Sequence, residues 1–305
     1  MQAWDLTKAT VNKALDDKVL RLSAALSYYS IFSLAPLVLI AISVAGAVLG
    51  QEAASGVLAN QLRSSIGENG AQTVQDMVMR TRKPSDNIIA SLTGVVLLVL
   101  GATGVFGQLQ DALNTVWGLA LRPGRVLKSM IRERLLSFTM ILGIGFLLLT
   151  SLILTTTLTY ATDLISRVIA VPGFALAILS NGVSFVVVAL LFAAIFKFLP
   201  EAKIEWKDVR YGAILTALLF SVGRFGLSWY LGREATTSVY GSAGSLVLIL
   251  LWVFYSSLIL LLGAEFTQVH AQSRGREIQP SRRAMRVVRT TEAVDPRDPA
   301  PAPNA

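Results

Sequence analysis

One arginine sets the chemical question. Arg224 lies inside the stretch YGAILTALLFSVGRFGLSWYLG, residues 211–232, which is otherwise apolar or small. Ala213, Ala217, Ser221, Arg224 and Ser228 recur at intervals of four, four, three and four residues, so a helix gathers them on one face. A guanidinium among hydroxyls is chemistry for holding an anion, because its fixed fork of donors matches phosphate and carboxylate. Within a bilayer such a charge requires protein or water around it. The small, polar face is therefore expected to look into a helix bundle. The mechanical alternative is that Arg224 locks helices together through Asn181 and backbone carbonyls.

Depth selects its expected neighbours. At the helical rise of about 1.5 Å per residue, Arg224 falls roughly 10 Å below the outer end of its span. Asn181, Ser151 and Ser43 fall near the same depth on other spans, and Ser245 slightly nearer the surface. The expectation is a polar layer in the outer third of the bundle. Arg224 would be at its centre, Asn181 its nearest polar neighbour, and Ser221, Ser228 and Ser245 would stand around it. At the opposite ends of their spans, Lys197 and Glu265 are expected to form a half-solvated pair. Pro36 removes a backbone hydrogen bond in mid-span and is expected to kink its helix, as shape or as a gate.

Hydrolytic chemistry finds little footing. The single histidine, His270, stands alone. The acidic residues Asp76, Asp86, Asp111, Glu133, Asp163, Glu201, Glu205 and Asp208 are spread over short loops, with no HxH, DxD, HExxH or Walker pattern among them. A nuclease needs clustered carboxylates or histidines. The basic loops lack the interleaved aromatics that stack bases. The expectation is a protein that is not an enzyme, carries no cofactor or metal, and binds no nucleic acid. With no cysteine, neither disulfides nor thiolate metal sites arise.

The elements that must position these residues follow from composition. The chain of 305 residues is 53% hydrophobic and only 15% charged, with a mean hydropathy of +0.60. A soluble domain carries about 25% charged residues, so the pattern is that of one integral membrane domain. A bilayer core of about 30 Å needs roughly 20 apolar helical residues. Six stretches qualify: residues 22–49, 88–106, 135–158, 174–199, 211–231 and 240–264. The fold class expected is all-α, a polytopic six-span bundle.

Residues 1–21 read as an amphipathic interfacial segment, with Trp4, Val11, Leu15 and Leu22 on one face. Residues 51–87 read as a polar loop of short helices, broken near Gly67, Asn69 and Gly70. In the segment after the second span, Leu109, Leu113 and Val116 or Trp117 mark one face of a short helix. Residues 22–270 form the membrane domain, and residues 271–305, Arg-rich and then Pro/Ala-rich, read as a disordered basic tail.

Six spans put both termini on one side. Most Lys and Arg residues lie in the termini and in the loops at 122–134 and 203–210, so that side is expected to be cytoplasmic and the 51–87 loop periplasmic. The net charge of +8 has the same origin.

Four separated runs, ALSYYSIFSLAPLVLI, ALNTVWG, FKFLPEAKIEWKDVRYGAILTALLF and YGSAGSLVLILLWVFYSSLILLLGAEF, occur in an order that resembles the YihY/BrkB family of bacterial inner-membrane proteins. The resemblance covers about residues 22–265. It implies a six-span protein of the bacterial cytoplasmic membrane. Members have been named ribonuclease BN or a serum-resistance virulence factor, and lipid export has been inferred for relatives. The resemblance carries over no catalytic residue set. The reading is a passive or secondary translocator of a lipid or anionic envelope component, with membrane lipids or an anionic envelope precursor as partners. The alternatives are a non-transporting envelope assembly scaffold and an ion-coupled antiporter. The lack of a deep acidic residue weighs against the antiporter. Substrate, energy source and oligomeric state are not legible in the sequence.

Overall fold

The computed structural model describes residues 3–81, 104–122, 173–231, 244–281 and 283–287. Within them the chain is mostly helical. Helix α1 (Ala3–Asp16) is followed by Lys18, whose left-handed backbone (φ 56, ψ 44) turns the chain into α2 (Val19–Leu49). Gly50, at φ 85, starts α3 (Gln51–Thr81). Residues 104–116 form α4. Helices α5 (Gly173–Phe198), α6 (Trp206–Leu231) and α7 (Gly244–Ser273) follow. Two of these elements contain segments long and apolar enough to cross a membrane, Asn181–Phe198 in α5 and Gly244–Ser273 in α7.

Local sequence explains the boundaries. Gly67 leaves helical geometry at φ 75 and ψ 174, so α3 is two helices joined at a glycine, as the run of breakers suggested. Through Pro36, α2 is continuous; the Pro36 side chain lies outside the described residues. At the far end of α7 the Arg276 amide donates to Ala271 O at 3.0 Å and the Gly275 amide to Gln272 O at 2.9 Å. With Gly275 at φ 71, this is the two-bond helix stop that a left-handed glycine permits. It reverses the chain sharply.

That reversal corrects two expectations. Residues 274–281 and 283–287 fold back on the body instead of leaving as a loose tail, while the rest of the expected tail, 288–305, lies outside the described residues; and two short strand pairs join the mainly helical fold. Strand β1 (Leu119–Leu121) pairs antiparallel with β4 (Ala284–Arg286), with Ala120 opposite Met285. Strand β2 (Ala202–Lys203) pairs with β3 (Gln279–Pro280). Residues 274–287 are thus a strap across the end of the bundle where α4 ends and α5 turns into α6. Composition misled because a basic run finds carboxylates only once the hairpin after α5 is folded.

The main core sits at the strap end. It joins Ala14 of α1, Val19 and Leu26 of α2, Leu113, Val116 and Trp117 at α4, Phe192 and Phe196 of α5, Ala213 and Ala217 of α6, and Leu261 and Ala264 of α7. The expected apolar face of α4 is the buried one, with Leu109 packed at its edge. A smaller cluster, Val74 with Ile249, Leu34, Val38 and Trp252, holds α3 against α2 and α7. The polar 51–81 segment is therefore a packed element. On α1, Thr10 and Ala14 turn inward while Trp4 (75% exposed), Val11 and Leu15 point out, the face assigned to the membrane surface.

The second expected span, apart from helical residues 104–106, and all of the third lie outside the described residues, as does Ser151. The helix over the first expected span begins at Val19 and that over the fifth at Trp206. The helix over the sixth runs nine residues past Ala264.

Candidate functional site

The seam between α6 and α7 sets the backbone on which Arg224 stands. Gly212 faces Thr267 and Gly263 faces Thr216: a Cβ on Gly212 would sit 1.8 Å from Thr267 Oγ1, and one on Gly263 1.8 Å from Thr216 Oγ1. Each threonine donates back to its own helix, Thr216 to Gly212 O at 2.6 Å and Thr267 to Gly263 O at 2.7 Å. Both helices thus carry glycine and threonine four residues apart, and their antiparallel pairing lets the backbones meet with no orphaned hydroxyl. Farther along, a Cβ on Gly223 would meet Tyr255 Oη at 1.4 Å, and that hydroxyl donates to Leu219 O at 3.3 Å. Phe192, Phe220 and Trp252 continue the seam with ring separations of 5.7 and 5.8 Å.

Next to Gly223, Arg224 is exposed. The face predicted from spacing is buried at Ala213 and Ala217 but open at Ser221 and Arg224. Ser221 donates to Ala217 O at 2.8 Å. Asn181 is exposed on α5, and among the described residues no hydrogen bond joins it to Arg224. Ser245 is half-buried at the start of α7. Ser228 lies on α6, its side chain outside the described residues. Val222 and Phe225 beside Arg224 are 65% and 77% exposed, so the arginine stands among apolar groups that face outward.

The strap end gathers the carboxylates that looked scattered. Buried Asp208 meets Arg276 at 2.6 Å, and Glu205 meets the same guanidinium at 3.4 Å. Arg283 reaches Glu201 at 3.5 Å, and the Ser281 hydroxyl donates to that carboxylate. Asn114 Oδ1 accepts from the Glu201 amide at 3.0 Å, and Trp117 Nε1 donates to Ala264 O at 3.3 Å, tying α4 in. A cavity of about 520 Å³ lies beneath the strap, lined by Lys197, Lys203, Glu205, Asp208, Arg276 and Glu277 among others. Sequence spacing missed this clasp because its partners are some 70 to 80 residues apart.

The expected Lys197–Glu265 pair is corrected here. The Lys197 ammonium donates to Ile204 O and lies 5.6 Å from the Trp206 ring. Among the described residues no ion pair joins it to Glu265, which is fully buried and not half-solvated. The hairpin after α5 curls back over Lys197 and takes the charge itself. Among the described residues no three His, Asp or Glu side chains come together as a metal site would need.

The family model described as Virulence factor BrkB matches residues 10–287. A UPF0761 membrane protein of Methylibium petroleiphilum is 27% identical over 87% of this chain and 62% of its own length. One of Chromobacterium violaceum is 26% identical over 94% of this chain and 68% of its own. Another, of Stenotrophomonas maltophilia, is 23% identical over 88% and 61%. The chain therefore spans about three fifths to two thirds of the length of these curated relatives. No solved structure matches. The chain belongs to the BrkB family, and its relatives are named as membrane proteins.

Proposed function

We propose that this member of the BrkB family is a non-catalytic, six-span protein of the bacterial cytoplasmic membrane. In this reading it moves an anionic lipid or envelope component passively or by secondary transport, with Arg224 as the group that meets the anion. Both termini and the strap lie in the cytoplasm, and no nucleic acid is bound.

The observation that carries the reading is Arg224 itself. It stands exposed beside Val222 and Phe225 on an apolar helix, one residue from the Gly223–Tyr255 contact that fixes the helix. An exposed guanidinium flanked by apolar side chains suits an amphiphile with an acidic headgroup: the charge meets the head and the stripe meets the chain. Sidedness is supported by Lys207, Arg210, Arg274, Arg276, Arg283 and Arg286, all at the strap end.

The test is reconstitution into vesicles containing headgroup-labelled phosphatidylglycerol, with quenching of the outer leaflet to follow crossing. The protein should accelerate crossing. Arg224→Leu should lower the rate at least about tenfold, as loss of a charge-assisted contact would. Arg224→Lys should keep part of it. A wild-type rate equal to that of empty vesicles removes the reading.

A further inference from the structure

The strap end holds a second cationic arrangement that the clasp does not use. Tyr211 opens the apolar part of α6, and two arginines from different elements converge on it. The Arg210 guanidinium is 4.9 Å from the ring centroid and that of Arg274 is 5.3 Å away. Both therefore share one aromatic ring. Arg210 also donates to the Tyr211 hydroxyl at 3.4 Å, and the His270 ring packs 4.9 Å from that of Tyr211.

Neither arginine has a carboxylate partner among the described residues. Asp208 and Glu205 are engaged by Arg276, Glu201 by Arg283 and Glu277 by Arg286. The backbone acts differently on the two: Arg274 follows the C-terminal end of α7, where the helix dipole favours a cation. Lys207 and Arg210 sit near the N-terminal end of α6, where the helix dipole disfavours cations and favours an anion. Two exposed arginines that meet at one ring are an arrangement that an anion would complete.

What lies beyond identifies the anion's other end. From Tyr211 the exposed face of α6 continues through Ile214, Leu218, Val222 and Phe225, with exposures of 38, 50, 52, 65 and 77%. Steps of three, four, four and three residues keep these side chains on one line along the helix. A phosphate at the head of an apolar stripe of about four turns, roughly 20 Å, has the shape of a phospholipid.

The geometry points to a binding site for an anionic phospholipid on this face. Its phosphate lies between Arg210 and Arg274 over Tyr211, and an acyl chain lies along Ile214, Leu218 and Val222. Its headgroup contacts are distinct from Arg224, which stands 14 residues beyond Arg210 along α6; the two sites share only the apolar stripe at Val222 and Phe225. It does not depend on transport, since a scaffold would hold the same lipid.

The experiment is native mass spectrometry of the full-length protein in mild detergent, titrated with phosphatidylglycerol, phosphatidylcholine or glycerol 1-phosphate. Phosphatidylglycerol is expected to be retained more tightly than phosphatidylcholine. The double variant Arg210→Gln/Arg274→Gln is expected to bind it at least about tenfold more weakly, because two charge-assisted contacts are lost. Arg210→Lys/Arg274→Lys, which keeps charge but not the fork, should fall between the two. Arg286→Gln removes the same charge from a paired residue and should bind as wild type. A thermal melt of each variant separates lost binding from lost fold. Affinity in the glutamine variant within about threefold of wild type overturns the site. So does an equal loss in Arg286→Gln, which would mean that only net charge matters. Glycerol 1-phosphate displacing the lipid at equal concentration would assign the site to a soluble phosphate and overturn the lipid reading. Binding is read without translocation, so a silent transport assay and a lost lipid are separate results.

Discussion

Gly212 and Gly263 occupy positions where a methyl group has no room. The atoms in the way include the Gly263 carbonyl, 3.0 Å from a Cβ on Gly212, and backbone cannot swing aside as a side chain can. Gly212→Ala is expected to destabilise the protein by about 1–3 kcal/mol, seen as a lower melting temperature in detergent. Gly226→Ala, where a Cβ would meet nothing within 4 Å, should leave it unchanged. Equal melting temperatures for the two variants would contradict the seam. Spacing did not select these two glycines: the small face read from the sequence runs through Ala213 and Ala217, one residue round the helix from Gly212 and Thr216. The face through Arg224 was legible in part. Periodicity says which residues share a side of a helix, and Ala213, Ala217, Ser221 and Arg224 do. It does not say how far along the axis a neighbour follows, and cover stops after Ala217. The residue that turns toward α7 at Arg224's level is Gly223, which no search for polar chemistry would select.

Among the elements, the strap is the part composition hid. Arg276 and Arg283 look solvated until the hairpin between α5 and α6 presents Glu201, Glu205 and Asp208. Arg276→Gln leaves the Asp208 carboxylate buried opposite a neutral amide. The expected loss is about 2–3 kcal/mol, at or below that of a broken buried pair because Arg276 itself is 28% exposed. Asp208→Asn combined with Arg276→Gln should cost less than the two single losses added, since the stranded charge is gone. Chemical unfolding of the four proteins measures it, and simple additivity would argue against the clasp. Helix α3 offers a second check. Gly67 holds φ 75 and ψ 174, a region essentially reserved for glycine, so Gly67→Ala should cost about 1–3 kcal/mol. A melting temperature equal to wild type would mean that the break relaxes freely. Helix existence was readable from apolar runs, and the break at Gly67 from glycine; the stop at Gly275 was not, because the apolar run gives out at Ala264 while the helix continues to Ser273. The early start of α6 at Trp206 was not, because charged Lys207, Asp208 and Arg210 sit in its first turns and read as loop.

At the scale of the whole molecule, the basic strap end and the exposed apolar faces of α1 and α6 fit one orientation in a membrane. A reporter placed after Gly70 should label as periplasmic and one after Ser273 as cytoplasmic. Reversed labelling would undo the charge argument for sidedness. The central claim is that Arg224 meets an anionic amphiphile in the membrane, and Phe225 beside it allows that to be seen without any transport signal. A photoreactive benzophenone side chain placed at position 225, in vesicles of mixed composition, reports which lipid lies there when illuminated. Mass spectrometry of the adduct should find phosphatidylglycerol well above its share of the bilayer, and Arg224→Leu in the same protein should bring the adducts back to the bulk lipid ratio. Adducts that follow the bulk ratio with Arg224 intact would contradict the account.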